Sequence, residues 1–396
     1  MKDKELVIVR AISSASLFCS AGLALVLAVK LLDVVWAAAF VGLAAVAVGS
    51  RALATRLYQR KKSVDWLLSV AILNFVLIAE LALRVIDFEY IAKIEFGYPR
   101  PVGAWDYEPH EELFWIQKAS APGVNALGFR GDEIPVPKPP GVYRIAFLGD
   151  SVIAEGYPTV VERILNETYA EAGQAFESAE LAVHGYTSHQ GVALSEMYGT
   201  VLEPDLVVVQ FGWNDHWQAY GSIDAEKTVR VSDTPVARLG DWLYRRSRIL
   251  QYVTWLGHSL SGANLPIGEV RVPVAQYRDN LEQIVSIFAA RDVPVLLVTA
   301  PTVHYRLGVP DYLVELRFVE NKASSVALHK RYNQVVRDVG REKGVPVLDL
   351  ETEMDKLSDE ELEAAFTEDG IHLSAQGKEL VGALVSDYVS VEKNKQ

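Results

Sequence analysis

The sequence predicts a three-layer α/β/α sandwich around a parallel, flavodoxin-like five-stranded sheet, preceded by N-terminal transmembrane helices. Two observations carry this. From residue 142 onward, short apolar runs alternate with helix-length segments, and three longer apolar runs fill the first ninety residues. Apolar strands separated by helices imply a parallel sheet covered on both faces. An apolar run of about 20 residues matches the thickness of a bilayer.

The apolar runs come first. They are Ile12–Leu32, Val34–Gly49 and Trp66–Leu83, with only Lys30 charged in the first. Three in succession are hard to bury in one small soluble domain, and a cleaved signal peptide would account for the first alone. Lys2, Lys4 and Arg10 precede the first run, and Arg51, Arg56, Arg60, Lys61 and Lys62 lie between the second and third. Basic residues mark cytoplasmic loops. The expected topology has the N-terminus inside and everything after about Asp87 extracytoplasmic, a multi-pass protein of the cell membrane. Glu80 and Arg84, four apart near the outer end of the third run, can pair on one helix face.

Charge follows the same division. Residues 1–62 hold nine Lys/Arg and three Asp/Glu, a net of +6, so the rest of a chain of net −13 carries −19. An acidic bulk argues against nucleic acid as a partner. The single cysteine, Cys19, excludes an intramolecular disulfide. No Cys/His cluster has zinc-like spacing and no glycine-rich loop has phosphate-binding spacing, so neither metal nor cofactor is expected.

Residues 1–87 therefore read as a membrane anchor of about three helices, 88–141 as an extended linker or pre-domain segment, and 142–396 as the catalytic domain. "IPVPKPPG" (134–141) ends the linker just before a strand. The strands are read at 143–149, 177–183, 205–211, 294–300 and 345–350, with helices at 158–172, 275–291 and 325–343. Residues 212–274 are too long for a simple connection and read as an insertion. Within it, "DWLYRRSRILQYVTWLGHSL" (241–260) reads as an amphipathic helix. Packing on the domain with solvated arginines is the favoured reading; resting on a membrane surface is the other.

In an open parallel sheet, ligands bind beyond the C-terminal strand ends. Gly149-Asp150-Ser151 follows the first strand, Gly185 the second, and Gly212, Asn214 and Asp215 the third. Asp369 and His372 follow the fifth, some nineteen residues on. Acyl transfer needs a nucleophile, a base, a group that orients the base, and donors for an oxyanion. Ser151 can be the nucleophile, with its own N–H free at a helix start. His372 can be the base, and Asp369, three residues earlier, can fix its tautomer. Gly185 offers an unhindered backbone N–H and Asn214 an amide.

This pattern resembles the SGNH hydrolases, also called the GDSL esterase/lipase family, and a membrane-anchored bacterial member in particular. "GDS" (149–151) is similar to the nucleophile block, Gly185 in "HGYTSHQ" to the glycine block, "GWND" (212–215) to the Gly-x-Asn-Asp block, and "DGIHLSAQG" (369–377) to the Asp-x-x-His block. The resemblance covers about residues 142–390. It implies Ser151, His372 and Asp369 as the triad, with Ser151 N–H, Gly185 and Asn214 as the oxyanion hole. "NALGFRG" (125–131) is similar to a segment ahead of this domain in bacterial members. Val152 stands where members often carry leucine or phenylalanine.

Each residue also has a plainer reading. Ser151, Asn214 and Asp369 could cap helices, Gly185 could be a turn glycine, and His372 could only pack. Asp150 and Asp215 read as structural hydrogen-bonders. A metal site from His184, His189 and His216 lacks supporting carboxylates. The expected function is a membrane-anchored serine esterase acting on an O-acyl ester of a carbohydrate or lipid. The alternative is an O-acyltransferase that uses the same triad on an extracytoplasmic polysaccharide and needs a membrane partner. The third is a non-catalytic binding or assembly protein.

Overall fold

The computed structural model describes residues 65–90, 107–229, 234–262 and 265–393. The chain forms two compact units: residues up to 91 with 233–258, and residues 92–232 with 259–396.

The larger unit is an α/β fold. Strands β1 (Tyr107–His110) and β2 (Phe114–Gln117) form an antiparallel hairpin. Strands β3 (Val142–Gly149), β4 (Ala175–Ala182), β5 (Leu206–Gln210), β8 (Val295–Val298) and β9 (Val347–Leu348) form the sheet, in the order β4-β3-β5-β8-β9. Every pair in it is parallel. This is the flavodoxin-like order, and the direction of strand addition reverses beside β3. A small pair, β6 (Gln218–Tyr220) and β7 (Pro266–Val270), closes the base of the 212–274 insertion.

β3 shows why the sheet is continuous in apolar sequence rather than alternating. Ile145 and Phe147 enter the core on one face, and Ala146 and Leu148 the core on the other. Successive strand side chains point to opposite faces, so a strand covered on both sides needs apolar residues at every position. The segment ahead of the sheet joins this core as well. Leu113, Phe114, Trp115 and Phe129 are all buried there. Asn125 builds the "NALGFRG" loop by accepting from Leu127 N–H and Phe129 N–H and donating to Asp132 O. The stretch read as an extended linker or pre-domain segment, 88–141, thus contributes the hairpin and Phe129 to the core.

Register decides where the functional residues fall. Gly149 of β3 pairs with Ala182 of β4 and with Gln210 of β5. Three strands thus end level, and Ser151, Gly185 and Asn214 lie two to four residues past that line. Position 149 must be glycine because a Cβ there would meet Ile153 Cδ1 at 2.5 Å and Gln210 O at 2.6 Å.

In the smaller unit a helix spans Asp65–Val85, the third of the apolar runs read from sequence. The other two, Ile12–Leu32 and Val34–Gly49, lie outside the described residues. Among the described residues no helix is long and apolar enough to cross a membrane. Glu80 and Arg84 pair as expected, at 2.9 Å. The Glu80 carboxylate also accepts from the backbone N–H groups of Arg248 and Ile249, at 3.0 and 2.9 Å. It thereby caps the second of two helices, Pro235–Arg246 and Arg248–Ser261. The reading of one amphipathic helix with its apolar side packed and its arginines in water is corrected on two counts. The segment breaks at Ser247, and its apolar side chains face outward: Val253 is 59 % exposed and Leu260 81 %, while Gln251 is fully buried.

Candidate active site

The catalytic candidates meet at the C-terminal edge of the sheet. Ser151 opens the one-turn helix Ser151–Ala154, whose start is capped by Asp150 accepting from Val152 N–H at 3.0 Å. The cap is therefore the aspartate, and the Ser151 hydroxyl is left for another partner. It lies 2.7 Å from His372 Nε2. On the other side of the ring, His372 Nδ1 lies 2.5 Å from Asp369 Oδ2. An ionised carboxylate only accepts, so the Nδ1 proton belongs to the imidazole and Nε2 is free to accept from Ser151.

Asp369 and His372 are held together by their own loop. The Asp369 carboxylate also accepts from Ile371 N–H, His372 N–H and the Thr367 hydroxyl, at 2.9, 3.0 and 2.8 Å. Burial alone would raise its pKa. The hydrogen bond and charge of His372, with these backbone donors, hold it well below the usual carboxylate range. Burial likewise works against protonation of His372. The Asp369 bond and charge, joined by Glu155 and Asp150, outweigh it and raise His372 above the ordinary histidine range.

The oxyanion candidates converge at the same edge. Gly185 follows β4 with φ +83°, a conformation that favours glycine. Asn214 is buried and donates one amide hydrogen to Asp150 Oδ2 at 3.2 Å. Asp150 therefore ties the Ser151 turn to the Asn214 loop, and burial raises its pKa to about 6. Asp215 accepts from Ser188 N–H, Ser188 Oγ and Gly212 N–H, at 2.9, 2.6 and 3.1 Å. Both aspartates are structural, as read from sequence.

Several residues at this site escaped the sequence reading. Thr302 and His304 follow β8. Thr302 Oγ1 donates to Gly370 O at 3.0 Å and His304 Nε2 to Asp369 O at 2.8 Å, so both fix the loop that bears the acid and base. Glu155 is the second omission. Its carboxylate lies 3.8 Å from His372 Nε2 and 3.6 Å from His184 Nε2. Its position four residues after Ser151 was an available signal. The histidines weighed as a metal set are engaged separately. His184 faces Glu155, His189 stacks on Phe114, and His216 bonds His329 at 2.9 Å. Among the described residues no group of acidic, histidine or cysteine side chains could hold a metal ion.

Glu155 carries a pH prediction. Its negative charge adds to the forces that raise His372, and a general base must be neutral to accept a proton. Glu155→Gln is expected to move the acid limb of the kcat/KM profile to lower pH, so the variant keeps more of its plateau activity in acid than the wild type does. An unmoved limb in a folded variant would show that the charge does not reach the base.

The sequence model of the GDSL-like lipase/acylhydrolase family matches residues 147–380. No curated protein matches the chain. Among solved structures, a lipase/acylhydrolase from Enterococcus faecalis is 21% identical and superposes with a TM-score of 0.41, over 63% of this chain and 96% of that one. An acetylxylan esterase from Geobacillus stearothermophilus is 15% identical with a TM-score of 0.37, over 61% and 92% of the two chains.

Proposed function

Because the chain belongs to the GDSL-like lipase/acylhydrolase family, we propose that it is a serine esterase that cleaves an O-acyl ester through an acyl-enzyme on Ser151. The observation that carries this reading is the unbroken relay from Ser151 Oγ to His372 Nε2 and from His372 Nδ1 to Asp369.

Ser151 Oγ attacks the ester carbonyl carbon and its proton passes to His372 Nε2. The carbonyl oxygen becomes an oxyanion, which accepts from Ser151 N–H, Gly185 N–H and the Asn214 amide. Collapse breaks the bond to the alcohol oxygen, and His372 returns the proton to that oxygen as the alcohol leaves. Water then repeats the sequence on the acyl-enzyme, releasing the acid and restoring Ser151. Asp369 stays ionised throughout and stabilises the imidazolium.

Transfer to a sugar hydroxyl in place of water is the second reading. The same relay serves it, because His372 Nε2 can accept a proton from a sugar hydroxyl as it does from water. An extracytoplasmic glycan or a lipid-linked ester is then the substrate class, and a membrane partner supplies the acyl donor. Mass analysis of products from an acylated substrate, with and without an added oligosaccharide, separates the two. Free acid alone in both reactions supports hydrolysis; acylated oligosaccharide supports transfer.

The reading extends to a membrane location with the larger unit extracytoplasmic, supported by the apolar runs Ile12–Leu32 and Val34–Gly49 and the +6 charge of residues 1–62. The outward apolar side chains of Pro235–Arg246 and Arg248–Ser261 support this, since an apolar surface around a buried Gln251 suits an apolar surrounding. The full chain is expected to stay in the membrane pellet through alkaline carbonate washing. Recovery in the supernatant would contradict the anchor.

A further inference from the structure

We propose that the β1–β2 hairpin is a working part of the active site, with Trp115 as a positioning residue for the Gly185 N–H. The proposal rests on the esterase reading, in which that N–H stabilises the oxyanion.

Residues 183–186 form a turn closed by Tyr186 N–H donating to Val183 O at 3.1 Å. Gly185 stands third, and its φ of +83° has the sign that a type II turn requires there. The central peptide of this turn carries His184 C=O on one side and Gly185 N–H on the other, pointing opposite ways because the peptide is planar and trans. Rotating that single peptide by half a turn converts type II geometry toward type I. It would also put a carbonyl oxygen where the N–H had been. A carbonyl aimed at a developing oxyanion repels it, so whatever fixes this peptide decides whether the hole works.

Trp115 fixes it. Its indole N–H donates to His184 O at 3.2 Å, holding the carbonyl end of the same peptide. The Tyr186 hydroxyl donates back to Trp115 O at 2.6 Å, so hairpin and turn are joined on both sides of the glycine. Trp115 is only 2% exposed, and a part-buried carbonyl that lost this donor would have reason to turn elsewhere. The next carbonyl, Gly185 O, is held by fully buried Arg271 at 2.8 Å. Asp224 orients that guanidinium through Nη2 at 2.8 Å, and Thr187 Oγ1 donates to Asp224 at 2.9 Å. The peptides on both sides of Gly185 are therefore clamped by buried side chains. Trp115 lies outside the region matched by the family, residues 147–380, and Arg271 lies in the insertion.

The test uses the full chain with p-nitrophenyl acetate as the probe ester. Trp115→Phe removes the N–H, and replacing Trp115 with 3-benzothienylalanine removes it while keeping the bicyclic shape. Both are expected to lower kcat about tenfold to hundredfold, the scale of a displaced oxyanion donor. KM should stay within about twofold, and the benzothienyl variant should melt close to the wild type. Wild-type kcat in the benzothienyl variant would overturn the proposal, whatever becomes of the phenylalanine variant. A wild type that turns over no ester and takes up no fluorophosphonate would overturn the esterase reading and this one with it.

Discussion

Ester turnover is expected to fall by about 10⁴-fold or more when Ser151 is replaced by alanine, with folding unchanged. The loss is large because, among the described residues, no other hydroxyl bonds His372, whose Nε2 lies 2.7 Å from Ser151 Oγ. What survives would come from the oxyanion donors and from binding, which do not need the nucleophile. The hydroxyl caps nothing, since Asp150 performs that role, so the melting temperature should change little. Turnover by Ser151→Ala at a tenth of the wild-type rate would require a different nucleophile.

Asp369→Asn is the second large effect, a fall in kcat of about 10³- to 10⁴-fold. An amide keeps the size and can still accept from Ile371 N–H and His372 N–H, as the carboxylate does. If its oxygen takes those bonds, its NH₂ group faces His372 Nδ1. A donor facing Nδ1 selects the tautomer protonated at Nε2, and that nitrogen can no longer take the serine proton. The negative charge that stabilises imidazolium is lost as well. The expected signature is a collapse in kcat with KM nearly unchanged. A variant within tenfold of the wild type would show that the acid does not set the tautomer.

These residues were legible in sequence because each lies immediately beyond a strand or in one short loop. Apolar runs at 143–149 and 205–211 mark strands that end level, and level ends bring Ser151 and Asn214 together without any knowledge of side chains. Asp369 and His372 needed only their spacing of three. The omissions have the opposite character. Trp115 reaches His184 across 69 residues and Arg271 reaches Gly185 across 86. Neither residue type advertises a backbone partner. The hairpin at 107–117 was hidden because its strands are four residues each, too short to show a period. The outward apolar faces at 241–260 are hidden in sequence for a related reason. Periodicity reveals that a helix has two faces but not which one meets the protein.

The central claim is an activated serine at position 151, and the most direct test is the intact mass of the full chain after exposure to a fluorophosphonate. One adduct on the wild type, located at Ser151 and absent from Ser151→Ala, is the predicted result. A folded wild type that takes up no reagent, or an adduct that persists in Ser151→Ala, would contradict the account.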